Sequence, residues 1–141
     1  MRTAAGIVAP LLAAATSPPS GEVVVELSGL RSSQGQVLVC LTASPRSFPD
    51  CSKDPNSRRM AIAADRAKVR LSAVPPGTYA VSVLHDENGN GRADKALFVP
   101  HEGFGFSRDA PVRFGPPKFA QAAFVVTDRT VTIPITMRYV F

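Results

Sequence analysis

Apolar and polar residues alternate along several short stretches of this chain, and a period of two residues is typical of β-strands. Val23, Val25 and Leu27 share one face of the first such stretch. The same alternation returns over 36–42 and, most clearly, over 78–84. Shorter patterns of this kind predict further strands over 60–62, 69–71, 122–126 and 131–139.

Turn-forming residues separate these stretches. The Pro75-Pro76-Gly77 run is a strong turn signal, because Pro fixes φ and Gly accepts a positive φ. Residues 44–57 contain three Pro and are predicted as a loop. Six or seven short strands without a convincing helix predict an all-β fold, an antiparallel β-sandwich of about seven strands. Pro134 cannot donate to a ladder, so the last strand is expected at a sheet edge or with a bulge.

One segment, His85 to Ala120, does not follow the strand pattern and is rich in Gly, Pro, Phe and charged residues. A loop of this length in a compact domain is usually functional or disordered. Five Phe residues argue against disorder here: Phe98, Phe104, Phe106, Phe114 and Phe119. We therefore expect one long Gly/Pro/Phe-rich loop on the sandwich.

The first 15 residues show the order of regions that is typical of a secretory signal peptide. Arg2 supplies the positive start, an apolar run follows, and Ala13-Ala14-Ala15 offers a small-x-small cleavage site. An Ala-rich helix docked on the domain is the alternative. We divide the chain into a signal peptide (1–15), a flexible segment (16–21) and a single β-sandwich domain (22–141), and we expect a secreted protein of the periplasm or the extracellular medium.

Charge and length narrow the classes of partner. The 141 residues suit one domain. Without Arg2 the chain carries 15 basic and 11 acidic side chains, and the basic ones are scattered. Nucleic-acid binding would need a clustered basic stripe, and no run of roughly 18 apolar residues exists to span a membrane. Weak attraction to anionic lipid, an envelope protein or a polysaccharide remains open.

Two cysteines, Cys40 and Cys51, lie eleven positions apart on either side of a predicted turn. An oxidising compartment favours a disulfide between them, which would close a loop of about a dozen residues. Two free thiols or a metal pair are the alternatives. A metal pair would need further ligands at a suitable spacing, and the sequence offers none nearby.

The most distinctive motifs surround and follow the clearest strand: Pro-Pro-Gly-Thr-Tyr-Ala-Val at 75–81, His-Asp-Glu-Asn-Gly-Asn-Gly at 85–91, Pro-His-Glu-Gly-Phe-Gly-Phe-Ser at 100–107 and Phe-Gly-Pro-Pro at 114–117. Over roughly residues 22–139 the chain resembles an uncharacterised family of secreted bacterial proteins catalogued as domain of unknown function 2141. The resemblance implies a signal peptide and a small all-β domain, and it implies no activity. The first motif alone is also similar to transthyretin-like and carboxypeptidase-regulatory-like sandwiches.

Oxygen donors recur at alternate positions in the second motif, as in the first half of a calcium-binding loop: Asp86, Asn88, Asn90, the carbonyl of Arg92, and Asp94. Gly91 would permit the sharp turn that such a loop needs. The twelfth position is Leu97 instead of a bidentate acid, so this is not an intact EF-hand. Glu102 is our candidate for the closing carboxylate. Calcium would then have a structural role, whereas a plain Asn-Gly turn is the alternative.

The sequence offers three hypotheses of function. The first is a non-enzymatic binding or accessory module of the bacterial envelope, because no nucleophile–base–orienter set is visible and no catalytic residue can be assigned. The second is a small periplasmic hydrolase that uses His85, Asp86 and Glu102. The third is a carrier of an apolar or sugar ligand.

The third hypothesis rests on four aromatic residues of the long loop that could contact a ligand: Phe104, Phe106, Phe114 and Phe119. Our alternative interpretation, which we favour, is that they fill a small second core beneath the loop. An open space lined by Phe would support a ligand site, and a filled core would remove it.

Overall fold

The computed structural model describes residues 2–13, 17–88 and 102–139. Most of these residues form strands: β1 (Gly21–Ser28), β2 (Gln36–Thr42), β3 (Arg58–Ala63), β4 (Lys68–Val74), β5 (Gly77–Asp86), β6 (Gly103–Phe106), β7 (Phe124–Val126), β8 (Thr130–Thr136) and β9 (Arg138–Tyr139). A 3-10 turn (Ser107–Asp109) and a one-turn helix α1 (Phe119–Ala122) follow β6. The predicted all-β class is confirmed.

The strands form two facing sheets. The smaller sheet has the order β4-β1-β8, and the larger has the order β3-β2-β5-β6-β9, with β7 paired to the start of β5. Within the described parts of the chain, all pairings are antiparallel except that of β1 with β8, which is parallel. The predicted β-sandwich is therefore confirmed, and it differs from the prediction in that β1 and β8 pair in parallel.

Alternation along the strands explains the core between the sheets. One face of β1 buries Val23, Val25 and Leu27, and these pack with the buried faces of the neighbouring and opposing strands. The larger sheet contributes Val37, Val39, Leu41, Val81 and Val83, and the smaller one adds Val69, Leu71, Ile133 and Ile135. Each buried side chain of this size stabilises the fold by about 1.5–3 kcal/mol. The core accounts for the strand pattern read in the sequence.

The C-terminal stretch divides between the two sheets. Strand β8 is the edge of the smaller sheet and carries Pro134 opposite Glu26, which confirms the expected edge position. The predicted single strand over 131–139 is interrupted at Met137, whose N–H donates to the Ser28 carbonyl at 2.8 Å. The chain then crosses to the larger sheet as β9, beside β6.

The loop over 44–57 folds onto the outer face of the larger sheet, and the Cys40–Cys51 disulfide holds it there. The predicted disulfide is therefore confirmed, and Cys51 is almost completely buried. The hydroxyl of Ser82, on β5, donates to the carbonyl of Pro49 in this loop. Both bonds attach the loop to the strands beneath it.

The predicted long loop contains two ordered elements that sequence patterns missed, β6 and α1. The strand expected over 122–126 is also shorter than predicted, because α1 ends at Ala122 and β7 begins only at Phe124. The Lys118 N–H donates to the Gln121 side chain at 2.8 Å, which favours a helical turn at this point. Phe98 lies outside the described residues.

The N-terminal residues 2–13 contain no helix or strand. Their large apolar side chains, Ile7, Val8, Leu11 and Leu12, are at least 90% exposed and so do not pack on the sandwich. Among the helices of the described residues, none is long and apolar enough to cross a membrane.

Candidate functional site

The end of β5 carries the residues on which the hypotheses of function depend. Neighbouring residues of a strand point to opposite faces of its sheet. His85 continues the inward face of Val81 and Val83, whereas Asp86 continues the outward face of Ser82 and Leu84. The sheet therefore separates His85 from Asp86, although the two are adjacent in the sequence.

His85 lies inside the sandwich with no exposed surface. Its Nε2 is 2.8 Å from the Gln34 carbonyl, and its Nδ1 is 2.6 Å from the Tyr139 hydroxyl. A carbonyl can only accept, so Nε2 donates to it, and in the tautomer that carries its hydrogen on Nε2 the Nδ1 atom accepts from the hydroxyl. The Arg31 N–H donates to the same hydroxyl oxygen at 3.3 Å. Both ring nitrogens are therefore used in a chain of hydrogen bonds that joins β5 to β9.

Tyr139, Arg31 and Glu87 close the end of the sandwich over His85. The Arg31 guanidinium lies 4.5 Å from the centroid of the Tyr139 ring, and its Nε is 2.5 Å from the Glu87 carboxylate. Burial raises the pKa of Tyr139, and the nearby Glu87 charge raises it further, while the Arg31 N–H and the Arg31 charge oppose these effects. None of these three residues was singled out from the sequence, because the predicted strand ended at Leu84.

Asp86 and Glu102 lie together on the outer face of the larger sheet. The antiparallel register pairs His85 with Gly103, so Asp86 and Glu102 are each one position beyond the last pair and face each other. Asp86 has no exposed surface and Glu102 is 3% exposed. The Gln36 amide donates to Asp86 Oδ2 at 3.3 Å. The register thus brings together the first and last ligands of the proposed calcium set.

The rest of that set is only partly visible. Asn88 is exposed in the turn after β5. Asn90, Arg92 and Asp94 lie outside the described residues. Over 2–13, 17–88 and 102–139, no group of three or more His, Cys, Asp or Glu side chains is placed to hold a metal ion.

Three of the four Phe residues proposed to contact a ligand take part in a second core on the outer face of the larger sheet. Phe106 is buried there with Ala80, Ala110 and Ala122, and Phe104 and Phe119 are partly buried against them. The Phe48 ring from the disulfide loop meets Phe106 and Phe119 edge-on, with centroids 5.9 and 6.1 Å apart. A depression beside Phe104 and Phe106 has about 20 Å³ of space, enough for one water molecule. A site for a small organic ligand usually needs at least about 300 Å³.

Ser107, five positions after Glu102 in the sequence, has a structural role. Its oxygen accepts from the Val81 N–H at 2.9 Å and its hydroxyl donates to the Ala122 carbonyl at 2.6 Å. Val81 is four residues from His85 along β5, which corresponds to about 13 Å. Ser107 and His85 are therefore too far apart to form a nucleophile–base pair.

The comparisons with known proteins agree with the family resemblance. The family model described as "Uncharacterized protein conserved in bacteria (DUF2141)" matches residues 25–134. No curated protein and no solved structure matches the chain. The matched residues cover every strand from β2 to β7, half of β1 and most of β8. The chain therefore belongs to the DUF2141 family of uncharacterised bacterial proteins.

Proposed function

We propose that this chain is an exported, non-catalytic β-sandwich that serves as a binding or accessory module of the bacterial envelope, and that calcium organises the segment between β5 and β6. The observation that carries the proposal is the division of the candidate residues between the two faces of the larger sheet. The His85 side chain lies on the inner face of this sheet, within the sandwich, while Asp86 and Glu102 lie together on its outer face.

Two features support export. The apolar residues of 2–13 remain in solvent instead of joining the core, as expected for a segment that is removed. The Cys40–Cys51 disulfide suits an oxidising compartment.

The position of His85 supports a non-catalytic role. A hydrolase of the kind considered above would need the imidazole and a carboxylate to reach one substrate. Here the sheet lies between them, and both ring nitrogens already bond to Tyr139 and Gln34. We therefore do not favour a hydrolase.

Calcium is supported by the placement of two acids and by sequence pattern together. Two carboxylates at neighbouring positions of a sheet repel each other, and a cation between them removes that repulsion. Asp86 and Glu102 enclose, at its two ends, a segment whose sequence supplies Asn90 and Asp94. A divalent cation bound by these oxygens would neutralise both acids and tie the segment to the sheet.

The test is thermal unfolding of the oxidised protein in CaCl₂, in EGTA and in MgCl₂. An extracellular site with a Kd of about 10⁻⁴–10⁻³ M would stabilise the fold by about 1.4–2.7 kcal/mol at roughly 10 mM calcium, or about 5–10 °C. Asn88→Ala should reduce the shift without disturbing the core, since Asn88 is exposed. Asp128→Asn, in an exposed turn, is the control and should keep it. The absence of a calcium-specific shift would reject the metal.

Export has its own test, whose result does not depend on the metal. The chain should be recovered from the periplasm or the medium with its N-terminus at Thr16 and its cysteines oxidised. Recovery only from the cytosol, starting at Met1 and with free thiols, would contradict the proposal.

A further inference from the structure

Phe114 is the most exposed large apolar side chain of the described residues, with a relative exposure of 113%. It lies in the segment that we call the Phe114 loop, residues 110–118, between the 3-10 turn and α1. Val112, in the same loop, is also exposed. An aromatic ring left in water loses the stabilisation that burial would provide, and here a second apolar side chain of the same loop is exposed near it in the sequence.

The backbone holds this ring outward. Phe114 has φ 55°, a left-handed conformation that bulky residues rarely adopt, and Gly115 follows with φ 145°. The Arg113 N–H donates to the Gly115 carbonyl at 3.2 Å across the tip. Pro111 and the Pro116-Pro117 pair restrict φ on both sides. Strain of this kind persists where the surrounding structure imposes it, and it concentrates at functional sites.

Both ends of the Phe114 loop are attached to the domain. On one side, Asp109 accepts from the Thr136 N–H at 2.8 Å. On the other side, Phe119 packs in the second core. The tip is therefore presented from a fixed base and does not hang from a long tether.

Three basic residues lie in the Phe114 loop or close before it in the sequence. Arg108, Arg113 and Lys118 are all exposed. Asp109 is the one acid between 107 and 118, and it is occupied by the Thr136 amide. An apolar tip with cations beside it is the arrangement by which proteins attach to an anionic lipid surface, with the ring among the acyl chains and the cations at the headgroups.

We propose that the Phe114 loop is a membrane-contact site that binds anionic phospholipid, with Phe114 inserted and Arg108, Arg113 and Lys118 at the headgroups. A protein partner is less well suited, because a stable protein interface buries about 800 Å² on each side, and this tip offers one ring and one Val. Lipid needs no matching surface and accepts a convex tip. The site lies beyond the proposed function and does not depend on calcium.

The test is co-sedimentation of the exported chain, recovered after processing, with vesicles that contain phosphatidylglycerol and with vesicles of phosphatidylcholine alone. We expect weak, salt-sensitive binding to the anionic vesicles only. Phe114→Ala should weaken it at least about tenfold, as expected for one ring withdrawn from an apolar phase. Val125→Ala removes an exposed apolar side chain from β7 and should leave binding unchanged.

Charge is tested with matched pairs of substitutions. Arg108→Gln with Arg113→Gln should lower binding about tenfold or more, at about 1 kcal/mol for each cation near the surface. Arg59→Gln with Arg129→Gln makes the same change in net charge at exposed positions outside the loop and should have a much smaller effect. Equal losses of vesicle binding in the two double variants would show that binding depends only on net charge. That result would overturn the site.

Insertion has a direct readout, because the chain contains no Trp. Phe114→Trp introduces a single Trp at the tip, whose emission can be excited selectively over that of the two tyrosines. Its emission should shift to the blue on anionic vesicles and be quenched by brominated acyl chains. A bound protein with unshifted emission, binding unaffected by Phe114→Ala, or no vesicle binding at all would each overturn the proposal, and the last result would direct attention to a protein partner.

Discussion

Removing one hydroxyl, by Tyr139→Phe, tests the interpretation of His85. The Tyr139 hydroxyl donates a hydrogen bond to His85 Nδ1, and the two atoms are 2.6 Å apart. Phe keeps the ring that packs near Arg31, so the change is confined to the hydroxyl and its two hydrogen bonds, and the exposed Arg31 N–H can bond to water instead. His85 would retain its bond to Gln34 and lose its partner at Nδ1, inside a site with no exposed surface.

The expected loss follows from that burial. A buried acceptor left without a donor costs about 1–3 kcal/mol. With an unfolding entropy of about 2.1 cal/mol/K per residue, a domain of about 120 residues would melt about 4–12 °C lower. Circular dichroism against temperature and against urea gives both quantities.

Tyr79→Phe is the matched control, since Tyr79 and Tyr139 are the two tyrosines of the chain. The Tyr79 hydroxyl donates to the Pro75 carbonyl at 2.8 Å in an exposed turn. Water can replace it there, so the loss should stay below about 1 kcal/mol. Equal losses in the two variants would refute the argument that His85 Nδ1 depends on Tyr139.

Three other changes test separate parts of the structure. Replacing Cys40 and Cys51 by Ala should lower the free energy of unfolding by about 3 kcal/mol, because the disulfide no longer restricts the unfolded chain. Urea unfolding without reductant measures this loss, and an unchanged midpoint would contradict the prediction. Gly105→Ala should cost about 1–3 kcal/mol, because a Cβ there would meet Ile135 across the sandwich, and a neutral result would show that the sheets can separate at this point. Burial raises the pKa of Tyr139 above its usual value of 10, so the unfolded chain ionises at a lower pH than the folded one. The contribution of Tyr139 to the free energy of unfolding is therefore fully present below pH 10 and is lost as the pH rises through the raised pKa. Unfolding measured between about pH 8 and 12 should show a smaller alkaline loss in Tyr139→Phe, and identical curves would exclude Tyr139 as a source of it.

The features that local patterns could predict are those that depend on neighbours in the sequence. The alternation of Val23, Val25 and Leu27 reflects one buried face, and it needs no knowledge of the partner strand. The edge position of Pro134 follows from its missing donor. The spacing of Cys40 and Cys51, together with the predicted export, was enough to anticipate their bond.

Strand β6 was missed because its pattern is made by distant residues. It alternates Gly with Phe, and the two Gly residues hide the period of two. A Cβ at Gly103 would collide with the Tyr139 ring, and one at Gly105 would collide with Ile135. Small residues are needed at both positions because of contacts 30 or more positions away, which no local window can show.

The end of β5 could be predicted only in part, for a related reason. The alternation over 78–84 suggested a strand that ended before His85, so His85 and Asp86 were read as neighbours in a loop. Strand β5 continues through Asp86, and the continuation turns His85 towards the core. The sequence suggests Asp86 and Glu102 as ligands of one ion because both are acids. Their neighbouring positions depend on the register between β5 and β6, which local patterns do not show.

The parallel pairing of β1 with β8 has a consequence for how the chain acquires its structure. Ser28 and Thr136 are partners although 108 residues separate them. The central strand of the smaller sheet thus lacks one neighbour until nearly the whole chain has been made, and a long loop must close before that pairing is gained. Such a topology slows folding. A nascent chain that is short of residue 130 cannot complete this sheet, so the smaller sheet forms only after nearly all of the domain has been synthesised.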